Sequence, residues 1–306
     1  MNLVRHILGI FVGLVSVGCL AQPASVATSQ SARPEVGIFL PGAAWKIEDL
    51  TNLESQVEAK FAYVTWYQDW KDPLDRSAIG TISQHGATPL VVWQPMVDGQ
   101  PIALQAVVDG RYDAFLTDCA NLVKESGRQI LISLAPEMNG DWTGWSASKQ
   151  GASVYRQFFQ HVVSKFRDCG VKNAVWLWSP NVRYNGDAGS YESLYPGDDY
   201  VDLIGLDGYN WGSAKPAIGW QSFDQIFGRS YAELTKLTKK EIVLTEVSSS
   251  EEGGDKADWI TGAFKSIRAN YPRIRAVIWF GQKKETDWRI DSSSGSLEAF
   301  RRSIRQ

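Results

Sequence analysis

Two glutamates are the residues of this chain whose type and position best suit acid–base chemistry. Glu137 comes just after the apolar run 130–135, and Glu246 comes just after the run 241–245. A pair of facing carboxyl groups can cleave a glycosidic bond. At a separation of roughly 5 to 5.5 Å one is the nucleophile and the other the acid and then the base, whereas roughly 6.5 to 9.5 Å leaves room for the water of an inverting enzyme. The sequence alone leaves both geometries open.

Other catalytic chemistries lack the side chains that they need. The chain has three histidines, His6, His85 and His161, which are far apart in sequence, and three cysteines. Zinc sites and Ser-His-Asp or Cys-His catalysis need imidazoles that converge on one point. We therefore expect no metal site and no cofactor, so that carboxylates carry any hydrolytic chemistry.

Aromatic residues are abundant and the charge is nearly balanced. There are 13 Trp, 11 Tyr and 12 Phe, and the formal net charge is −3. Indole and phenol rings stack on sugar rings while their N–H and O–H groups bond hydroxyls, although core packing accounts for part of this excess. A balanced charge without a Lys/Arg run argues against a nucleic-acid partner. We expect a polysaccharide substrate.

The chain that positions these residues repeats one pattern eight times from Val36 onward. A short run rich in β-branched or aromatic residues is followed by a polar loop and then by a helical stretch. The predicted strands are 36–40, 61–66, 89–93, 129–135, 174–178, 201–206, 241–245 and 276–280, and clear amphipathic helices are 111–125, 153–167 and 255–270. Such continuous apolar strands are typical of a parallel sheet that is buried on both faces.

Eight strand–helix units predict an α/β fold, a single (β/α)8 TIM barrel. The span from residue 35 to residue 306 has the usual size of this fold. A doubly wound open sheet is the alternative, but no G-x-G-x-x-G follows the first strand. Active sites of (β/α)8 barrels form at the carboxyl ends of the strands. Glu137 ends the fourth predicted strand and Glu246 the seventh, so both should reach one mouth.

Side chains near the two glutamates suggest opposite protonation states. Trp142 and Trp145 would partly desolvate Glu137 and keep it protonated, whereas a hydroxyl of Tyr209 would help Glu246 to stay ionised. Trp145 is itself a candidate for sugar binding. Other strand ends carry further candidates, with rim packing or a turn as the alternative: Trp66, Trp93, Trp178, Asn181 and Trp211. Aromatics spread over several strand ends favour an endo-acting cleft with several subsites.

The segment Glu137-Met138-Asn139-Gly140-Asp141-Trp142-Thr143-Gly144-Trp145 resembles the acid/base segment of glycoside hydrolase family 26. The resemblance covers most of the chain after the leader, and it implies a retaining endo-β-glycosidase. It implies that Glu137 is the acid/base and Glu246 the nucleophile. It further implies sugar contacts at the cleavage point by four side chains: Trp142, Asp207, Tyr209 and Trp279.

One departure from the family pattern concerns the substrate. Family mannanases usually carry His directly before the acid/base, where this chain has Pro136. We expect β-1,4-mannan or glucomannan as the substrate, with mixed-linkage β-1,3-1,4-glucan, β-1,3-xylan or an exopolysaccharide as alternatives. A carbohydrate-binding barrel without catalytic activity is the alternative from another functional class.

The first 21 residues predict a secretory signal peptide, with Arg5 followed by the apolar run 7–17. Cleavage after Ala21 would release the protein, whereas the lipobox-like Ser16-Val17-Gly18-Cys19 would anchor it through a lipid on Cys19. Residues 22–34 are rich in Ser, Ala and Thr and predict a flexible tether. We expect a secreted or periplasmic monomer with no transmembrane span. A disulfide between Cys119 and Cys169 is permitted, but spacing cannot decide it.

Overall fold

A computed structural model of the chain describes residues 33–184 and 186–306. Eight parallel strands close into a barrel in sequential order, and the first strand pairs with both the eighth and the second. The strands are β1 (Glu35–Phe39), β2 (Tyr63–Asp69), β3 (Thr88–Gln94), β4 (Ile130–Leu134), β5 (Ala174–Trp178), β6 (Leu203–Asn210), β7 (Ile242–Ser249) and β8 (Ile274–Phe280). The predicted (β/α)8 barrel is confirmed, and ring closure excludes the open sheet.

Helices follow the strands and surround the barrel. They are α1 (Ile47–Val57), α2 (Arg76–His85), α3 (Leu104–Val108), α4 (Asp113–Ser126), α5 (Ala147–Gln150), α6 (Ala152–Asp168), α7 (Tyr191–Leu194), α8 (Phe223–Leu237), α9 (Lys256–Asn270) and α10 (Ser294–Ser303). A short antiparallel hairpin, Met96–Val97 with Gln100–Pro101, follows β3 and was not predicted. The side-chain oxygens of Asp75 and Ser222 cap the N-termini of α2 and α8. These caps fix the residues at which the two helices begin and the preceding loops end.

Two apolar cores stabilise the barrel, and strand alternation decides which residue enters which core. The inner core contains only strand residues: Tyr63, Leu90, Val92, Leu131, Leu177, Leu203, Val243, Ala276 and Ile278. The larger core lies between strands and helices and includes Val64, Trp66, Trp178 and Trp279. Successive side chains in a strand point to opposite faces, so strands β2 to β8 each contribute to both cores.

Some sequence predictions fall outside what the structure tests. The signal peptide, Cys19 and all but the last two residues of the tether lie outside the described residues. Within the described ranges, no helix has both the length and the apolar character needed to cross a bilayer. Cys119 is buried, Cys169 is partly buried, and both are free thiols.

Candidate active site

An irregularity in β7 turns Glu246 toward the barrel mouth. Between Val243 and Glu246 the strand advances three residues while its neighbour β6 advances two, from Gly205 to Asp207. The register with β8 shifts in the same region. An extra residue of this kind reverses the alternation beyond it and re-aims a side chain. Thr245 and Glu246 therefore both face inward, whereas Val247 packs in the outer core.

Two tyrosines hold the Glu246 carboxylate. The Tyr67 hydroxyl donates to Oε1 at 2.5 Å, and the Tyr209 hydroxyl donates to Oε2. Burial raises the pKa of Glu246 above the ordinary carboxyl value, and the bonds from Tyr209 and Tyr67 oppose this rise because they stabilise the ionised form. Both carboxylate oxygens are thus held in fixed directions.

Glu137 sits on an unusual stretch of backbone after β4. Ala135 and Glu137 have positive φ values of 47° and 55°, on either side of Pro136. Residues other than glycine adopt this region at an energetic cost, so the surroundings must hold the turn in place. The Trp145 indole N–H donates to the Pro136 carbonyl at 2.7 Å, and the Glu137 N–H donates to the Ser179 carbonyl at 2.7 Å. These bonds fix the turn that presents the Glu137 side chain.

The Glu137 carboxyl accepts one hydrogen bond and is strongly shifted toward the protonated form. The Trp142 indole N–H donates to its Oε2 at 2.6 Å. Burial, followed by the negative charge of Glu246, raises the pKa of Glu137 to about 8, while the Trp142 bond and the charges of Lys215 and Lys284 act in the opposite direction. A negative charge disfavours ionisation of a neighbouring carboxyl, so the charge of Glu246 helps to keep a proton on Glu137.

The Trp142 ring lies flat against the backbone of Gly140. A Cβ on Gly140 would come within 2.6 Å of the ring carbons, so only glycine permits this approach. The exposed fraction of Trp142 is 49%, and its ring centroid is 5.2 Å from that of Tyr184. The indole therefore keeps an accessible surface beside Glu137, as a residue that contacts substrate must.

The two carboxyl groups can together supply an acid and a nucleophile. Each keeps a partly accessible side chain at the same end of the barrel. Glu137 forms no ion pair with a residue that the structure describes and tends to hold a proton, whereas Glu246 receives two hydroxyl donors that favour its charge. In the described part of the chain, no group of three or more His, Cys, Asp or Glu side chains is arranged to hold a metal ion.

Asp207 is brought to the site but is almost fully buried. It pairs with Glu246 across β6 and β7, it is 1% exposed, and its Oδ1 accepts a bond of 2.5 Å from the Thr245 hydroxyl. Its Oδ2 has no partner among the described residues. Burial, followed by the charges of Glu246 and Glu137, raises the pKa of Asp207 well above the ordinary value. The predicted direct contact of Asp207 with sugar does not fit this burial, whereas Tyr209 is partly exposed beside Glu246.

Four of the predicted sugar-binding tryptophans point away from the mouth. All four are buried in the core between barrel and helices: Trp66, Trp93, Trp178 and Trp279. The Trp279 ring, for example, packs against Trp259 and Phe300 of the surrounding helices. The four tryptophans occupy the outward-facing positions of β2, β3, β5 and β8. Their assignment as sugar platforms is wrong, because no face of these rings is open to a ligand.

Trp145 and Asn181 hold the backbone near the site in place and do not present a free surface to a sugar. Trp145 is buried and holds the turn at Pro136, as described above. Asn181 bridges Asp207 through its backbone, and its N–H and carbonyl are bonded to the side chain of Asn139. The Asn181 side-chain amide donates to the Val182 carbonyl at 3.1 Å. The turn interpretation of Asn181 thus fits its contacts.

Sequence reasoning missed Tyr67 and Trp288. Tyr67 follows Trp66 in β2, so strand alternation could have found it: if Trp66 faces the helices, Tyr67 must face the interior. Trp288 lies in the loop after β8, with its ring centroid 5.0 Å from those of both Tyr209 and Trp211. No strand pattern marks a residue in such a loop. The Lys215 ammonium lies 3.3 Å from the centroid of the Trp211 ring.

Sequence comparison finds relatives that are named as polysaccharide hydrolases. The sequence model described as Glycosyl hydrolase family 26 matches residues 54–261. Endoglucanase H of Acetivibrio thermocellus is 37% identical over 253 residues, which are 79% of this chain and 27% of that protein. A mannan endo-1,4-beta-mannosidase of Bifidobacterium adolescentis is 30% identical over 47% of this chain and 15% of its own length. A Bacillus subtilis enzyme of the same name is 29% identical over 57% of this chain and 46% of its own length. The chain thus spans less than half the length of each of these relatives.

Structural comparison finds the same barrel in solved enzymes. The catalytic domain of a family 26 endo-β-1,4-mannanase from Bacillus sp. JAMB-750 superposes with a TM-score of 0.72 and 18% identity, over 90% of this chain and 87% of that domain. A modular endo-β-1,4-mannanase from Cellulomonas fimi gives a TM-score of 0.68 with 20% identity, over 89% of this chain and 70% of that one. At this identity the likeness concerns the fold.

Proposed function

Since the chain belongs to glycosyl hydrolase family 26, we propose that it is an endo-acting β-glycosidase that hydrolyses a β-linked polysaccharide with retention of configuration. Glu246 is the nucleophile and Glu137 is the acid/base. One observation carries this proposal: two carboxyls share a barrel mouth, where burial and the charge of Glu246 favour a proton on Glu137, while two hydroxyl donors oppose the rise in the pKa of Glu246. A difference in environment between paired carboxyls is the basis for assigning acid and nucleophile.

In the first step the Glu246 carboxylate attacks the anomeric carbon. The bond from that carbon to the glycosidic oxygen breaks, and the oxygen takes the proton of Glu137. A covalent glycosyl ester on Glu246 and an ionised Glu137 result. In the second step Glu137 takes a proton from water, the water oxygen attacks the anomeric carbon, and Glu246 leaves as a carboxylate. Two inversions at one carbon give net retention.

Neighbouring side chains prepare each carboxyl for its role. Tyr67 and Tyr209 hold both oxygens of Glu246, so the nucleophile does not rotate freely before attack. The Trp142 N–H bond orients the Glu137 carboxyl, and the indole surface next to it can stack on a sugar. The bonds from Trp145 and to Ser179 hold the Glu137 turn in its strained conformation.

We propose β-1,4-mannan or glucomannan as the substrate, a choice supported by relatives that are named mannan endo-1,4-beta-mannosidases. Mixed-linkage β-glucan is the second candidate. Pro136 replaces the histidine that the family resemblance implies, and the relative of 37% identity is named an endoglucanase. Both substrates present β-linked pyranose rings to the same pair of carboxyls, so the chemistry is unchanged between them.

Product analysis tests the function and the substrate together. Purified protein is incubated with glucomannan, galactomannan, lichenan and β-1,3-xylan, and the reducing ends and product sizes are measured. We expect a ladder of oligosaccharides of intermediate length from at least one polymer and none from Glu137→Gln or Glu246→Gln. Proton NMR of the first product should show the β-anomer. Binding without release of sugar by the wild type would favour a carbohydrate-binding barrel, and an α-anomer would exclude the retaining mechanism.

We also propose that the chain is exported, because its substrate is a polymer too large to enter a cell. The leader 1–21 supports this proposal. Expression of the full chain in a bacterial host, followed by N-terminal sequencing of the mature protein, tests it. A start at Gln22 would indicate a released enzyme, and a lipid-modified Cys19 would indicate an anchored one. An uncleaved Met1 in the cell extract would contradict export.

A further inference from the structure

Large apolar side chains that are exposed to water cluster at one end of the barrel. Among the described residues they are Trp45, Trp142 and Ile218, with exposed fractions of 47%, 49% and 47%. They lie in the loops that follow β1, β4 and β6, which is the end that carries Glu137 and Glu246. Trp142 belongs to the candidate active site. Trp45 has no role in the proposed chemistry, and its exposure is therefore unexplained.

A rigid turn projects Trp45 from the rim. Gly42 adopts a φ of 81°, and the N–H groups of Trp45 and Lys46 both donate to its carbonyl. The two alanines before Trp45, Ala43 and Ala44, are buried at 0% and 1% exposure and anchor the turn. The backbone under the indole is therefore fixed by hydrogen bonds and packing.

A second contact fixes the orientation of the ring. The Trp45 indole N–H donates to Asp75 Oδ2 at 2.7 Å. The other oxygen of Asp75 caps α2 by accepting from Ser77 and Ala78, and the Asp75 N–H donates to the Gln68 side chain. Asp75 is thus held by its own loop and holds the indole in turn. An exposed ring that is already ordered loses little entropy when a ligand stacks on it.

Trp45 lies within reach of the proposed cleavage site. Phe39 at the end of β1 packs against Tyr67 with ring centroids 4.7 Å apart, and Tyr67 bonds Glu246. Trp45 is six positions after Phe39, so their Cα atoms are at most about 20 Å apart. A short stretch of polysaccharide that occupies the mouth could therefore extend over the indole.

We propose that the Trp45 indole is a distal sugar-binding platform, on which a pyranose ring of the bound polysaccharide stacks away from the bond that is cleaved. The proposal rests on the proposed function and adds a subsite to it. The neighbours Lys46, Glu48 and Asp49 are charged and exposed, so the apolar surface is confined to one ring. A single ring matches one sugar, whereas a stable protein interface buries about 800 Å² on each partner.

The test compares a long substrate with a short one that stays near the carboxyls. Wild type, Trp45→Ala, Trp45→Phe and Lys46→Ala are assayed on the polysaccharide that the wild type cleaves and on an aryl glycoside of the matching disaccharide. Trp45→Ala should lower kcat/KM on the polymer by about 3- to 10-fold, the worth of one aromatic stack. Its kcat/KM on the aryl glycoside should stay within about twofold of wild type. Trp45→Phe keeps a ring and should recover most of the loss.

Several outcomes would overturn the platform. Equal losses on both substrates would mean that Trp45 only supports the fold, and no loss on either would mean that no sugar binds there. Lys46 makes no side-chain hydrogen bond or ion pair with a described residue, so Lys46→Ala serves as the matched control in the same turn. A loss by Lys46→Ala equal to that of Trp45→Ala would assign the effect to the turn and not to the indole.

Binding measurements separate this proposal from the proposed function. Glu246→Ala and the double variant Glu246→Ala/Trp45→Ala are run through gels that contain glucomannan or lichenan. The double variant should be retarded less than the single one, whether or not the wild type proves to be a hydrolase. Equal retardation of the single and the double variant would contradict the platform, even if the wild type hydrolyses the polymer.

Discussion

The Tyr67 hydroxyl lies 2.5 Å from Glu246 Oε1, although 179 positions separate the two residues in sequence. Tyr67 comes from β2 and Glu246 from β7. These two strands are not neighbours in the ring, because β1 and β8 lie between them. The contact therefore crosses the barrel mouth. Together with Tyr209, Tyr67 gives both oxygens of the proposed nucleophile a neutral donor.

Tyr67→Phe is expected to lower kcat/KM and to move the acidic limb of the pH profile. A hydrogen bond to a charged group contributes about 1.5 to 3 kcal/mol, which corresponds to roughly a 10- to 150-fold loss. Without the donor, the pKa of Glu246 rises further, so activity should begin at a higher pH. The matched control is Tyr63→Phe, because Tyr63 lies in the same strand and donates to Glu35 at 2.5 Å, away from the mouth. A profile of Tyr67→Phe that coincides with that of Tyr63→Phe would remove Tyr67 from the site.

Removal of each glutamate is expected to give a different defect. Glu246→Ala should lose at least ~10³ in kcat on every substrate, because no covalent intermediate can form. Glu137→Ala should be partly spared on aryl glycosides with good leaving groups, which need no proton. Added azide identifies the roles directly: Glu246→Ala should yield an α-glycosyl azide and Glu137→Ala a β-glycosyl azide. The reverse pattern of azide products would exchange the two assignments.

The pH profile should be a bell whose basic limb reports Glu137. Activity requires a protonated Glu137 with a pKa of about 8, so activity falls as the pH rises through that value. Trp142→Phe removes a bond that stabilises ionised Glu137 and should shift this limb upward. Trp259→Phe is the control, because its N–H is bonded to the Gln221 carbonyl and not to a carboxyl or to the turn that carries Glu137. A basic limb that Trp142→Phe leaves in place would assign the limb to another group.

Glu137 should also make stability depend on pH. Its pKa is raised from 4.5 to about 8 by folding, so the folded state binds the proton more tightly than the unfolded chain. This contribution is complete below about pH 4.5 and is lost as the pH rises through about 8. Glu137→Gln cannot ionise and escapes that loss. Its Tm should therefore equal that of wild type near pH 4 and exceed it at pH 8, and a Tm difference that is constant with pH would contradict the burial of this charge.

Trp279→Ala is expected to lower the stability of the fold more than it changes substrate binding. The ring is buried among the helices, and truncation of a buried Trp costs about 3 to 5 kcal/mol. Denaturant unfolding should show a lower midpoint, while the KM of the folded enzyme for an aryl glycoside should change little. A large rise in KM without a loss of stability would restore Trp279 as a sugar platform.

The sequence by itself determined the barrel and the order of its elements. Eight apolar runs separated by amphipathic stretches are local patterns, and the strands appear within a few residues of where those patterns predict them. It also determined that Glu137 follows the fourth strand and that Glu246 lies toward the carboxyl end of the seventh, although β7 continues to Ser249, beyond the predicted end.

Only the tertiary structure decided which side chains meet in the mouth. Glu246 faces inward because β7 carries an extra residue, and such a bulge reverses the alternation that the sequence pattern assumes. Trp279 and Trp66 were assigned to the mouth, but strand alternation buries both against helices. Closure of the ring brings Tyr67 across to Glu246. The direction in which a side chain points and the side chains that it contacts depend on the register and twist of the whole sheet. No local window of sequence contains this information.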